Sequence, residues 1–187
     1  MIDKPALRAQ LRTRRRELSV THPDAALKAA GHLPVDALGA VAVASGYRPM
    51  GREIDPWPVL RRLEEAGARI ALPVAITRHD PLIFRAFREG DPLERDAVGV
   101  EAPTADAETL TPDVLIVPLL GFDRQGHRIG QGAGHYDRTL SALRAGGRAW
   151  AIGLAYAGQE VEGLPSEAHD ERLDAILTET GYHVFGS

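Results

Sequence analysis

Apolar positions recur along this chain in two alternating rhythms. Leu7, Leu11 and Leu18 are spaced as on one helix face, with Asp3 placed to cap the helix and Pro5 in its first turn. The helix is expected to stop between Ser19 and Pro23, and a second over residues 24–33 to stop before Pro34. Residues 40–47, AVAVASGY, form an apolar, β-branched run typical of a buried strand. A helix over 56–66 follows, stopped by Gly67, then strands over 69–74 and 82–87. From 88 to 112 the sequence turns acidic and proline-punctuated, which predicts a long surface connection with at most short elements, bordering a cleft. The most apolar strand, VLIVPLL at 114–120, loses its ladder pairing at Pro118 and runs into Gly121. A helix over 136–144, a strand over 150–156 and a short strand over 174–178 precede a polar tail.

Alternation of βα units with two-sided apolar strands predicts an α/β fold: a mostly parallel sheet flanked by helices in three layers. The length, 187 residues, suits a single domain over residues 1–187, with neither internal repeat nor linker. Ligands on such sheets gather beyond the carboxyl ends of the strands. That is where the glycine-rich segment after the 114–120 strand is expected.

Composition narrows the function. Hydrophobic residues make up 44% and charged residues 26%, as in an ordinary globular protein. No run approaches the roughly 20 apolar residues of a membrane span, and the charged start lacks a signal peptide's apolar stretch. A cytoplasmic location is therefore expected, with no membrane partner. A mitochondrial transit peptide fits poorly, because the basic start also carries Asp3 and Glu17. With no cysteine, disulfides, thiolate catalysis and sulfur-bound zinc are excluded. A net charge of −4 argues against a general nucleic-acid surface. Seven histidines occur without an i, i+4 pair, and no G-x-S-x-G elbow is present.

The chemistry concentrates in RIGQGAGHYD, from Arg128 to Asp137. Gly130, Gly132 and Gly134 remove three Cβ atoms from a stretch whose amides can turn inward as an anion nest. A helix starting near Tyr136 adds its positive end, and Arg128 a full charge. Asp137 repels phosphate unless a cation lies between them, which magnesium does when it takes carboxylate and phosphate oxygens together. The bland alternative is a tight glycine turn with a helix-start acid. The segment is neither a P-loop, lacking Gly-Lys-Ser/Thr, nor the dinucleotide fingerprint, whose glycine spacing differs.

Three other segments carry weaker signals. Lys4, Arg8, Arg12 and Arg15 or Arg16 share one helix face, which suits either a polyphosphate clamp or a solvated basic face. YRPMGREIDP at 47–56 offers Glu53 and Asp55 as acceptors for an amino-heterocycle, or is a helix-entry loop. HDERLDAILTE offers Asp170 and Asp174 as a second metal carboxylate, or as turn and cap residues.

Taken together, KPALR at 4–8, MGREID at 50–55, VPLLGFDRQGHRIGQGAGHYDRTL from Val117, and GLAYAGQEV followed by LPSEAHDERLDAILTE from Gly153 onward resemble the 5-formyltetrahydrofolate cyclo-ligase family, in order and over nearly the full length. The family's fold is related to that of sugar-phosphate isomerases and coenzyme A transferases. The resemblance implies ATP and Mg2+ as co-substrate and cofactor, a reduced folate as small-molecule substrate, and a monomer. It implies that Lys4, Arg8 and the loop Arg128, Ile129, Gly130, Gln131, Gly132, Ala133, Gly134, His135 and Tyr136 hold ATP, with Arg128 catalytic. Met50, Glu53 and Gln131 to Tyr136 would face the folate, and Asp137 and Asp174 the metal. Gln131, where family members often carry a basic residue, and His135, where they often carry tyrosine, are departures. Three competing readings follow: an ATP-independent phosphate enzyme on the same scaffold, a non-catalytic folate or nucleotide binder, and a nucleic-acid binder using the basic helix. The last has no aromatic partners on that helix.

Overall fold

The computed structural model describes residues 3–147 and 149–186; positions 1, 2, 148 and 187 of the expected domain lie outside the described residues. The elements run α1 (Lys4–Thr21), α2 (Ala25–His32), β1 (Val43–Ser45), α3 (Trp57–Glu65), β2 (Arg69–Val74), β3 (Ile83–Ala86), β4 (Leu93–Arg95), β5 (Glu101–Pro103), β6 (Thr109–Leu110), β7 (Val114–Pro118), β8 (Gly121–Phe122), β9 (Arg128–Ile129), α4 (His135–Ala145), β10 (Trp150–Leu154), β11 (Ala175–Thr178) and β12 (Gly181–Val184).

Eight strands form one sheet in the order β12-β11-β10-β7-β1-β2-β3-β6. The five central strands are mutually parallel, and β12, β3 and β6 join their neighbours antiparallel. The apolar run of β7 supplies both faces, because successive residues of a pleated strand point to opposite sides. Val114 and Ile116 pack with Leu60 and Leu63 of α3 and Ala29 of α2. Leu115 and Val117 pack on the other side with Leu140 of α4. Each of these buried aliphatic side chains contributes about 1.5–3 kcal/mol of transfer free energy. The expected three-layer α/β/α arrangement is therefore present.

Helix α1 departs from that plan. Its Leu18 packs against the core on the α2 and α3 side, whereas Leu11 packs with Leu120 just after β7, Ile129 at the end of β9 and Leu164 in the segment beyond β10. Its backbone carries it across the end of the sheet where ligands gather. Asp3 makes no side-chain capping bond, contrary to expectation; its carbonyl accepts from Leu7 N at 2.9 Å.

One expectation needs correction: the supposed polar tail contains β12, whose Val184 to Gly181 register against Ala175 to Thr178 closes one sheet edge. The acidic connection at 88–112 holds only short elements, as expected: the β4–β5 hairpin of two three-residue strands and the two-residue β6. Among the described residues, no helix is long and apolar enough to cross a membrane.

Candidate active site

Beyond the carboxyl ends of β1 and β7 lies a cleft of about 550 Å³. Its walls include Tyr47 and Met50 after β1, Leu119 after β7, Lys4 and Arg8 of α1, and every residue from Arg128 to Asp137. Asp96, Val98 and Val100 border it from the acidic connection, as expected of that segment.

The short β8–β9 hairpin aims the glycine loop. Leu120 N donates to Ile129 O at 2.8 Å, so the chain returns to the β7 end before the loop begins. Gly132 has φ +104° and Gly134 φ +69°, left-handed conformations that glycine adopts without strain, and Gly134 is the N-cap of α4. At Gly132 a Cβ atom would lie 3.1 Å from Arg8 Cζ. Gly130 has no positive φ and open space around the position of its absent Cβ.

Arginines grip this loop by its oxygens. Arg8 Nε donates to Gly130 O at 3.0 Å, Arg12 Nε to Gln131 Oε1 at 3.0 Å, and Arg138 to Ala133 O at 2.9 Å. His135 Nε2 meets Arg78 O at 2.8 Å. The amides of Gly130, Gln131, Gly132, Ala133 and Gly134 take no acceptor among the described residues. Five consecutive N–H groups thus stand beside the first turn of α4, whose own leading amides are unsatisfied. With the Gly130 and Ala133 carbonyls held by arginines and five amides left over, the loop is a polarised nest suited to a large anion.

Arg128 is less free than expected. NH1 and NH2 both donate to Asp137 Oδ1 at 2.9 Å, and NH1 also donates to Glu171 O at 2.7 Å. Its side chain is 6% exposed, that of Asp137 21%. Asp137 Oδ1 also accepts from Glu171 N at 3.1 Å, whereas Oδ2 takes no hydrogen bond among the described residues. Lys4 Nζ is paired with Glu167 Oε1 at 2.5 Å and lies 3.8 Å from Asp170 Oδ2.

The structure does not bring Asp174 to the cleft. Its Oδ2 accepts from Ala151 N at 2.7 Å and from Arg144 at 2.9 Å, at the amino ends of β10 and β11 and the far end of α4. It pins strand ends together there, as a cap. Of the two aspartates in HDERLD, Asp170 lines the cleft and Asp174 does not. Among the described residues no cluster of three or more acidic or imidazole groups is arranged to hold a metal.

Glu53 sits on the cleft's other flank with its side chain 7% exposed. Oε1 accepts from Arg15 NH1 at 3.3 Å and Oε2 from Met50 N at 2.9 Å. Burial holds its carboxyl above the ordinary glutamate value, and the Met50 amide, the Arg15 guanidinium and the Gln131 side chain offset this only in part. Met50 is 48% exposed beside it. Burial, and then the charge of Glu53, raise the Tyr136 phenol, so it stays protonated. Tyr47 shifts the same way and donates its hydroxyl to Ile54 O at 2.6 Å.

Every residue that the family resemblance assigned to the site, except Asp174, therefore lines one cavity, whereas Arg12, Arg16 and Asp55 do not. Arg15, grouped by spacing with the phosphate clamp, is instead buried against Glu53 and Leu119 O. Tyr47 and Arg138 were missed. Arg138 reads as an ordinary helix charge, and only the αL turn at Gly134 reveals that its side chain folds back on the loop.

A model of the 5-formyltetrahydrofolate cyclo-ligase family matches residues 1–179. The chain is 37% identical over 142 residues to the 5-formyltetrahydrofolate cyclo-ligase of Mycolicibacterium smegmatis, covering 71% of each. It is 35% identical over 131 residues to that of Escherichia coli, covering 67% of this chain and 71% of the relative. Its fold is similar to that of the Aquifex aeolicus 5,10-methenyltetrahydrofolate synthetase, with TM-score 0.79 and 24% identity over 98% of this chain and 93% of the other. With a family match that spans the glycine loop, α1 and both flanks of the cleft, the chain belongs to the 5-formyltetrahydrofolate cyclo-ligase family.

Proposed function

We propose that this ligase converts 5-formyltetrahydrofolate and ATP into 5,10-methenyltetrahydrofolate, ADP and phosphate. One observation carries the ATP-dependent part: five loop amides at the start of α4, without an acceptor among the described residues, share a cleft with Glu53 and Met50. Such a cleft offers a polyphosphate and an amino-heterocycle adjoining places. A cytoplasmic, monomeric enzyme is part of the same reading.

An N-formyl oxygen is a poor leaving group. Transfer of the γ-phosphoryl group to that oxygen, with release of ADP, makes it a good one. The N10 lone pair then attacks the formyl carbon, N10 gives up its proton, which the departing phosphate can carry, and the C–O bond breaks so that phosphate leaves as the ring closes. Neither step needs a protein nucleophile. The protein's work is to align the reactants and neutralise charge.

In this reading the loop amides from Gly130 to Gly134, with Lys4 and Arg8, hold the phosphates. Lys4 must exchange Glu167 for a phosphate oxygen. Glu53 accepts from the pterin's amino edge, Met50 packs on its ring, and Gln131, His135 and Tyr136 wall the space between the two ligands. Magnesium fits on one count: Asp137 leaves Oδ2 unbonded at the cleft, and magnesium characteristically joins one or two carboxylates to substrate phosphates. When bound there it would neutralise charge on the phosphates. Asp137 would hold it, and Arg128, committed to Oδ1, acts as a positioning residue that keeps Oδ2 available.

The test is direct. Purified protein mixed with 5-formyltetrahydrofolate, ATP and magnesium should develop the near-ultraviolet absorbance of the methenyl product. No signal should appear without ATP; product formed equally well without it would defeat the ATP-dependent mechanism.

A further inference from the structure

Three arginines on one face of α1 each reach a different part of the cleft. Arg8 holds Gly130 O, Arg12 holds Gln131 Oε1, and Arg15 holds Glu53 Oε1 and, from the same nitrogen, Leu119 O at 3.2 Å. Spacings of four and three residues keep them in one stripe. The first two meet the nest. Arg15 is different: it is 5% exposed, faces no phosphate position, and forms its ion pair in the interior.

A buried carboxylate is costly unless it is paired and hydrogen-bonded. Glu53 has one such partner per oxygen, Arg15 on Oε1 and Met50 N on Oε2. A carboxylate oxygen accepts about two hydrogen bonds. Each oxygen therefore retains one acceptor direction, and the residue lines the cleft. Two parallel acceptors match the adjacent ring N–H and exocyclic amine of an amino-pyrimidinone, the recognition edge of a pterin.

We propose that Arg15 is a positioning residue for folate recognition: its buried ion pair holds Glu53 as an anion, oriented to accept both donors of the pterin edge. The inference rests on the assignment of Glu53 to the folate. Arg15 also fastens α1 to the end of β7, so one helix sets the nucleotide loop and the folate acceptor in fixed relation.

The charges around Glu53 give this a pH signature. Arg15 faces it from α1, Tyr47 from the end of β1 and Tyr136 from α4, and Asp55 is two residues along the same loop. Both phenols are shifted up and stay neutral, so Arg15 is the cation that opposes the burial of Glu53. Protonated Glu53 loses an acceptor. Folate binding should then fail as pH falls through the Glu53 pKa, and removing Arg15 should move that failure to higher pH.

The experiment measures the dissociation constant of 5-formyltetrahydrofolate by calorimetry without ATP, across a pH series, for wild type, Arg15→Lys, Arg15→Met and Arg15→Met/Glu53→Gln. One charge-assisted contact corresponds to roughly a 10- to 100-fold change. Arg15→Met should weaken folate binding by about that factor at neutral pH and shift its acid limb upward, and Arg15→Lys should recover part of both. ATP-analogue affinity should change by no more than about twofold, a margin far inside one such contact. The double variant guards against a folding defect: it removes the unpaired buried charge, so it should melt above Arg15→Met yet still bind folate poorly. Folded Arg15→Met that binds folate with wild-type affinity and an unmoved acid limb overturns the inference while leaving the function intact. Wild type that does not bind 5-formyltetrahydrofolate at all overturns the functional reading, and this inference with it.

Discussion

Both terminal nitrogens of Arg128 converge on a single oxygen of Asp137, Oδ1, at 2.9 Å each, and leave Oδ2 without a hydrogen bond among the described residues. The pair joins the strand that leads into the glycine loop to the first turn of the helix that leaves it. Fixing the two ends of a loop fixes the direction of its amides. The one-sided carboxylate is what a cation-bridged phosphate site needs, since a carboxylate saturated on both oxygens makes a poor ligand.

Two substitutions separate these roles. Asp137→Asn should lower kcat by about 100-fold or more, the scale seen when a charge-stabilising group is lost from a phosphoryl- or acyl-transfer site, and raise the magnesium concentration needed for half-maximal rate. Arg128→Ala should also cost stability, about 3 kcal/mol, because it strands a partly buried carboxylate. Rate assays across magnesium concentration, with thermal melts, read both effects. An Arg128→Ala protein that melts normally and keeps its rate would remove the pair from the mechanism.

Gly132→Ala should raise the KM for ATP while leaving that for folate nearly unchanged. Alanine at φ +104° costs about 1–2 kcal/mol of backbone strain, and its Cβ would press on the Arg8 guanidinium at 3.1 Å. Either adjustment tilts the nest. Steady-state kinetics with each substrate varied in turn are the measurement, and an unchanged KM for ATP would count against the amides of this loop as the phosphate cradle.

Asp174→Asn tests the correction the structure makes to the sequence. A cap on Ala151 N, paired to Arg144, should cost about 1–2 kcal/mol when weakened. The magnesium dependence of the rate should not move. If the variant instead needed far more magnesium at unchanged melting temperature, Asp174 would be a ligand after all.

That correction marks where sequence reading ran out. The strands expected over 69–74 and 114–120, found at Arg69–Val74 and Val114–Pro118, were legible because burial on both faces demands runs of apolar residues. The glycine loop was legible because two of its glycines, Gly132 and Gly134, take the left-handed backbone that glycine alone adopts without strain. What spacing cannot convey is which partner a charged side chain finds. Arg15 sits in the same stripe as Arg8 and Arg12, yet only the packing of α1 over the β7 end buries it on Glu53. Asp170 and Asp174 are four residues apart with similar neighbours, and they end at the cleft and at the strands' amino ends respectively. The edge strand β12 was invisible for another reason: with only four residues and a half-exposed surface, it carries little apolar signal.

Asp123 offers a prediction about acid stability that bears on the loop without touching the cleft. It is 1% exposed in the turn between β8 and β9. Oδ1 accepts from Gln125 N and His127 N, and Oδ2 from Leu164 N and His127 Nδ1, so four donors surround one carboxylate. Burial works to raise its pKa, but the His127 ring and the three amides outweigh it and leave it below the usual aspartate value of 3.8. A depressed folded-state pKa means the ion's contribution is complete above the unfolded value and disappears as pH falls through the folded one. The wild-type protein should therefore lose part of its stability below about pH 4, the range in which unfolded aspartate takes up its proton. Asp123→Asn places an amide among donors and should cost about 2–3 kcal/mol at neutral pH. Because the variant no longer binds that proton, its melting temperature should also fall less steeply on acidification. Since the hairpin held by Asp123 carries Arg128 and Ile129 to the mouth of the glycine loop, the KM for ATP should rise with the loss of stability. A variant that melts like wild type at neutral pH, and shows the same slope in acid, would mean the four donors are satisfied as well by water.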